Sequence, residues 1–104
     1  MHSRSASLAR VRGAVENLCR EIAVQVVDAG PVSRYSTHNV PWALSDMVQT
    51  VMAVTPGNAR YAPLLQILND NFHDGLAAGA SASDALRSTF TLACTSPTSV
   101  AIGL

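Results

Sequence analysis

The stretch from Ser5 to Ala29 constrains the fold more than any other. Leu8, Val11, Val15, Leu18, Ile22 and Val26 recur there at steps of three and four residues, which lines them up on one face of an α-helix. Arg12, Glu16 and Arg20 lie four apart on another face and can pair locally. Gly30-Pro31 is the expected stop, because glycine accepts a left-handed closing conformation and proline cannot continue a helix. Val24, Val26 and Val27 are β-branched, so the last turn can also fray or turn into strand. The stripe runs for about three heptads, the shortest length over which a coiled-coil pattern carries weight.

Punctuation divides the remainder into three more helices and a tail. A polar connector, Val32 to Asn39, precedes a second helix that opens at Asn39 or Val40, with Pro41 in its first turn, where a missing N–H costs nothing. Its apolar face is Leu44, Met47, Val48, Val51 and Met52, and Thr55-Pro56-Gly57-Asn58 ends it; Val51 to Thr55 reads alternatively as a short strand. Asn58 is a candidate cap for the third helix, with Pro63 delaying its regular part, and Tyr61, Leu64, Leu65, Leu68, Phe72 and Leu76 form its stripe. Gly75 and Gly79 loosen its end. Ser81 or Ser83 caps the fourth helix, Asp84 sits in its first turn, Leu86, Phe90 and Ala93 are its core contacts, and Ser96-Pro97 stops it. The tail, Thr98 to Leu104, carries Val100, Ala101, Ile102 and Leu104 and either packs on the helices or forms an edge strand. The expected fold is therefore mainly α: one four-helix bundle-like domain over residues 1–104, with a long first helix.

Composition narrows the function classes. Of 104 residues 48% are hydrophobic and only 13% charged, which excludes disorder for the body and suggests that part of the surface is covered by a second copy or a partner. Net charge is zero, against a nucleic-acid or membrane footprint. All seven basic residues are Arg, which with abundant Ala points to a GC-rich, bacterial coding genome. Arg4, Arg10 and Arg12 precede the first acid, Glu16; that start mimics a transit segment but reads as an ordinary helix N-terminus. No apolar signal core and no membrane-length apolar run is present. Two cysteines, Cys19 and Cys94, are too few for a disulfide scaffold and match no zinc spacing, so the expectation is reduced thiols in the cytoplasm, with Cys94 a buried structural thiol and Cys19 a core or interface contact.

Candidate chemistry is sparse. Asp70, His73 and Asp74 share one face of the third helix, as ligands of a shared metal would, but no second His or Glu pair completes a site. Cys94 with His38 or His73 could in principle supply a thiol nucleophile and its base. Trp42 reads as a core plug or interface anchor, and Arg34, Tyr35 and His38 as a plain solvated loop or a binding surface. The glycines form no phosphate-binding fingerprint. No cofactor is expected.

Phe72 to Arg87, FHDGLAAGASASDALR, with the tail SVAIGL, resembles the closing helix-turn-helix and last strand of some bacterial caspase-like peptidases. The catalytic His and Cys segments of that family have no counterpart here, so the resemblance implies no active residue. Thr89, Thr91, Cys94, Thr95, Ser96, Thr98 and Ser99 crowd the C-terminal end, and a helical leader before such an end resembles precursors of ribosomally made, modified peptides. The leading expectation is a non-enzymatic interaction or assembly module, with Leu8, Val11, Val15, Leu18, Ile22 and Trp42 as its interface and a homo-oligomer or partner protein as its target. The alternatives are an enzyme or enzyme subunit using Asp70, His73 and Asp74, and the modified-peptide precursor.

Overall fold

The computed structural model describes the backbone of residues 2–96 and the side chains of residues 11–96. The apolar periodicity at the start produces α1, His2–Val26, which ends before the expected Ala29. Val24 and Val26 stay helical, and only Val27 leaves the helix, forming an isolated parallel bridge with Tyr35. Tyr35 N donates to Val26 O at 2.8 Å and Asp28 N to Tyr35 O at 3.0 Å. The left-handed turn falls on Asp28, at φ 49°, ahead of Gly30. That conformation costs about 1–2 kcal/mol outside glycine, and an Asp offsets it through side-chain hydrogen bonds. Here the Asp28 carboxylate accepts from Thr37 N at 3.0 Å, Thr37 Oγ1 at 2.9 Å and Ser83 Oγ.

The connector expected to be solvated carries part of the core. Tyr35 is buried, its ring 5.9 Å from that of Phe90 and 6.2 Å from that of Trp42. Its hydroxyl donates to Asp46 Oδ2 at 2.8 Å, while Arg34 grips both Asp46 oxygens at 2.9 and 3.1 Å. A polar loop can cross a core this way because the one buried phenol has a partner.

Asn39 opens α2, Val40–Asp46, by accepting from Trp42 N at 3.4 Å, and Pro41 stands in the first turn as expected. The helix then widens into one π-helical turn, Met47–Val51, closed by Met52 N to Met47 O at 3.0 Å. No strand forms over 51–55; Ala53, at φ 57°, turns the chain instead. Asn58 accepts from Arg60 N through its side chain and from Tyr61 N through its carbonyl. α3 follows at Tyr61–Ala77, undelayed by Pro63, which lies in the first turn, where its nitrogen has no intrahelical partner to lose. Its end is a Schellman closure: Gly79, at φ 98°, donates to Leu76 O and Ala80 N to Gly75 O, both at 3.0 Å. α4, Ala82–Thr95, is capped by Ser81, which accepts from Asp84 N at 3.1 Å, and Ser83 is spent on Asp28.

The described residues are mainly helical, four helices packed together without a strand, as expected for a small bundle-like domain. α4 is the central member, lying against both α1 and α3. Leu86, Phe90 and Ala93 of α4 are buried with Met47, Val48, Leu68 and Phe72 in one core. Gly75 is not a loosened end: a Cβ there would stand 3.2 Å from Ala85 Cβ, so the missing side chain lets α3 and α4 approach closely. Thr89, fully buried at the same contact, lies 2.9 Å from Asn71 Oδ1. Residues 72–87 span the end of α3, the turn after it and the start of α4, and the tail SVAIGL lies outside the described residues.

The expectation of two free thiols is overturned. Cys19 of α1 and Cys94 of α4 form a disulfide with Cα atoms 5.8 Å apart. Their sequence separation of 75 concealed a pairing that only the antiparallel packing of α1 on α4 creates.

Candidate interaction surface

The register of α1 on α4 determines what α1 leaves uncovered. Cys19 opposes Cys94, and Arg87 Nη2 reaches back to Val27 O at 3.4 Å, so the two helices run antiparallel. α4 ends at Thr95, one residue past that disulfide. α1 starts at His2, so its N-terminal half extends beyond the end of α4 by roughly 20 Å at 1.5 Å per residue. The long axis of the molecule is accordingly 48 Å against 31 and 27 Å.

The α1 residues buried against the body are Cys19, Ala23 and, just past the helix, Val27. That line is rotated away from the apolar stripe, leaving the stripe across the boundary between core and solvent. Val15 and Ile22 are half-buried, Ile22 packed on the core. Val11 and Leu18 are 58% and 57% exposed. The side chain of Leu8 lies outside the described residues. Glu16 and Arg20 form an exposed ion pair on another face, worth at most a few tenths of a kcal/mol.

Trp42 is 48% exposed, one edge held against Tyr35. Beyond it, α2 and α3 enclose an open groove of about 590 Å³ whose lining includes Val40, Leu44, Tyr61, Leu65 and Phe72. Tyr61 is anchored there by a hydrogen bond to Ser45 Oγ.

The acid–base candidates do not assemble. Asp70, His73 and Asp74 are exposed on α3; Asp70 accepts from Gln66 Nε2 at 2.7 Å, and the His73 ring lies against Phe72. Among the described residues no three His, Cys, Asp or Glu side chains come together to hold a metal. Cys94, in its disulfide, is not a free nucleophile for His38 or His73.

The perturbed ionisations belong to the fold. Burial, helped by the neighbouring Asp46 carboxylate, pushes the Tyr35 phenol up to about 12. Burial works against the Asp46 carboxylate, but Arg34, Tyr35 and Thr50 outweigh it and hold Asp46 below its usual value. Asp28 is lowered by the Ser83 hydroxyl first, against burial, with Thr37 adding to it. Sequence reading missed this pair of clamps. The available signal was one aromatic residue inside a polar run, with an unassigned acid on either side of it.

No protein-family model, no curated protein and no solved structure matches this chain.

Proposed function

We propose that this protein is a non-enzymatic assembly module that self-associates through the apolar face of α1. The observation that carries the reading is the exposure of Val11 and Leu18, 58% and 57%, on a helix that extends past the end of α4. Two large aliphatic side chains on one projecting stripe lose about 25 cal/mol per Å² of potential burial by remaining in water. A second copy offers the same stripe at the same spacing, which makes the interface self-complementary. Trp42 lies outside that stripe and acts as a secondary contact.

Cytoplasmic residence followed from reading the cysteines as free thiols. A disulfide between buried Cys19 and partly buried Cys94 supports a compartment that oxidises thiols. No helix among the described residues is long and apolar enough to cross a membrane.

Analytical ultracentrifugation of the wild type and of the Val11→Glu/Leu18→Glu double variant tests the reading. The wild type is expected to sediment as a dimer, and the variant as a monomer with unchanged circular dichroism. Both changes lie on exposed positions, so folding survives them. A wild type that stays monomeric across the accessible concentration range removes the proposal.

A further inference from the structure

Resting on the self-association reading, we infer that the second copy lies antiparallel to α1, with the crossing point at Val15. One property of the helix favours this orientation and a second permits it. The first is charge. Arg4, Arg10 and Arg12 precede every acid, whereas the following stretch of α1 holds Glu16 and Glu21 with a single Arg20. A parallel pair sets three arginines beside three arginines. An antiparallel pair sets each arginine-rich half against the half of its partner that carries Glu21 and the Glu16–Arg20 ion pair, which holds no excess of positive charge, and it opposes the two helix dipoles.

The second property is the spacing of the stripe. Leu8, Val11, Leu18 and Ile22 are arranged nearly symmetrically about Val15. Reversing the helix therefore brings Val11 opposite the partner's Leu18 and Val15 opposite the partner's Val15, and apolar residues still meet apolar ones. The projection of α1 past α4 accommodates the arrangement. Each overhanging half runs alongside the supported half of its partner, where Leu18 is exposed and Ile22 is half-buried.

Cross-linking through single introduced cysteines tests the orientation. Val11→Cys, Val15→Cys and Leu18→Cys place a free thiol at each stripe position, and the native disulfide stays intact. A short homobifunctional maleimide joins free thiols only. In the antiparallel pair the two copies of position 11 are offset by about 12 Å along the axis, whereas positions 11 and 18 of opposite copies lie almost level. Val15→Cys is expected to cross-link with itself, and a mixture of tagged Val11→Cys with Leu18→Cys to give the mixed product. Val11→Cys alone should give about tenfold less product, since the offset exceeds the reach of the reagent. Equal self-linking at positions 11, 15 and 18 would show a parallel pair and overturn the inference. A dimer with no cross-link at any position overturns it as well, by placing the interface elsewhere. A monomer by sedimentation instead overturns the self-association on which it rests.

Discussion

Cutting the Cys19–Cys94 bond is the perturbation whose consequence follows most directly from the structure. The bond closes a chain separation of 75 residues, containing α2, α3, most of α4 and the end of α1. Chain-entropy reasoning assigns about 4.5 kcal/mol to a loop of that length, through restriction of the unfolded ensemble. A domain of this size has roughly 5–15 kcal/mol of total stability, so the bond is a large part of the whole. The assay is urea unfolding followed by circular dichroism, on oxidised protein, on reduced protein and on Cys19→Ala/Cys94→Ala. The reduced protein and the variant should agree with each other and lose about 3–4.5 kcal/mol. Their m-values should rise, since an uncrosslinked denatured chain exposes more surface. A loss below about 1 kcal/mol with an unchanged m-value would refute the entropic account. Two titratable thiols in protein purified without reductant would refute the bond itself.

The other expectations concern the clamps and the close helix contact. Asp46→Ala strips the buried Tyr35 hydroxyl of its acceptor and should cost about 1–3 kcal/mol in the same urea assay, whereas Tyr35→Phe combined with Asp46→Ala should recover part of that loss. Asp28 and Asp46 have folded pKa values below the usual 3.8, so their contribution is present above that pH and is lost as pH falls through the folded values. Stability measured down an acid titration should therefore drop below about pH 4, and Asp28→Asn should flatten the drop. The opposite sign holds for Tyr35: raised to about 12, it contributes fully below pH 10 and loses that contribution as pH rises toward 12, which phenolate absorbance can follow alongside unfolding. Gly75→Val should overpack the α3–α4 contact at Ala85 and cost about 1–3 kcal/mol by thermal melting, with Ala85→Gly in the same chain restoring part of it.

Several elements were legible without coordinates because their causes are local. Three- and four-residue spacing establishes the helices, Pro41 and Asn39 mark the start of α2, Ser81 marks the start of α4, and Ser96-Pro97 its end. The core positions Leu86, Phe90 and Ala93 followed from the same periodicity. Local signals failed where a distant residue decides the outcome. Asp28 ends the turn after α1 because Thr37 and Ser83 arrive to bond it, and Tyr35 enters the core because Asp46 stands ready to accept its hydroxyl.

The apolar stripe of α1 shows the same division. Periodicity alone established that Val11, Val15, Leu18 and Ile22 share a face. Which part of that face meets the body depends on the angle at which α4 docks and on where α4 stops. Those are tertiary quantities. They place Cys19 against Cys94, bury Ala23, and leave Val11 and Leu18 in water. Sequence spacing specifies a helix's faces relative to one another, and only packing specifies which way they point.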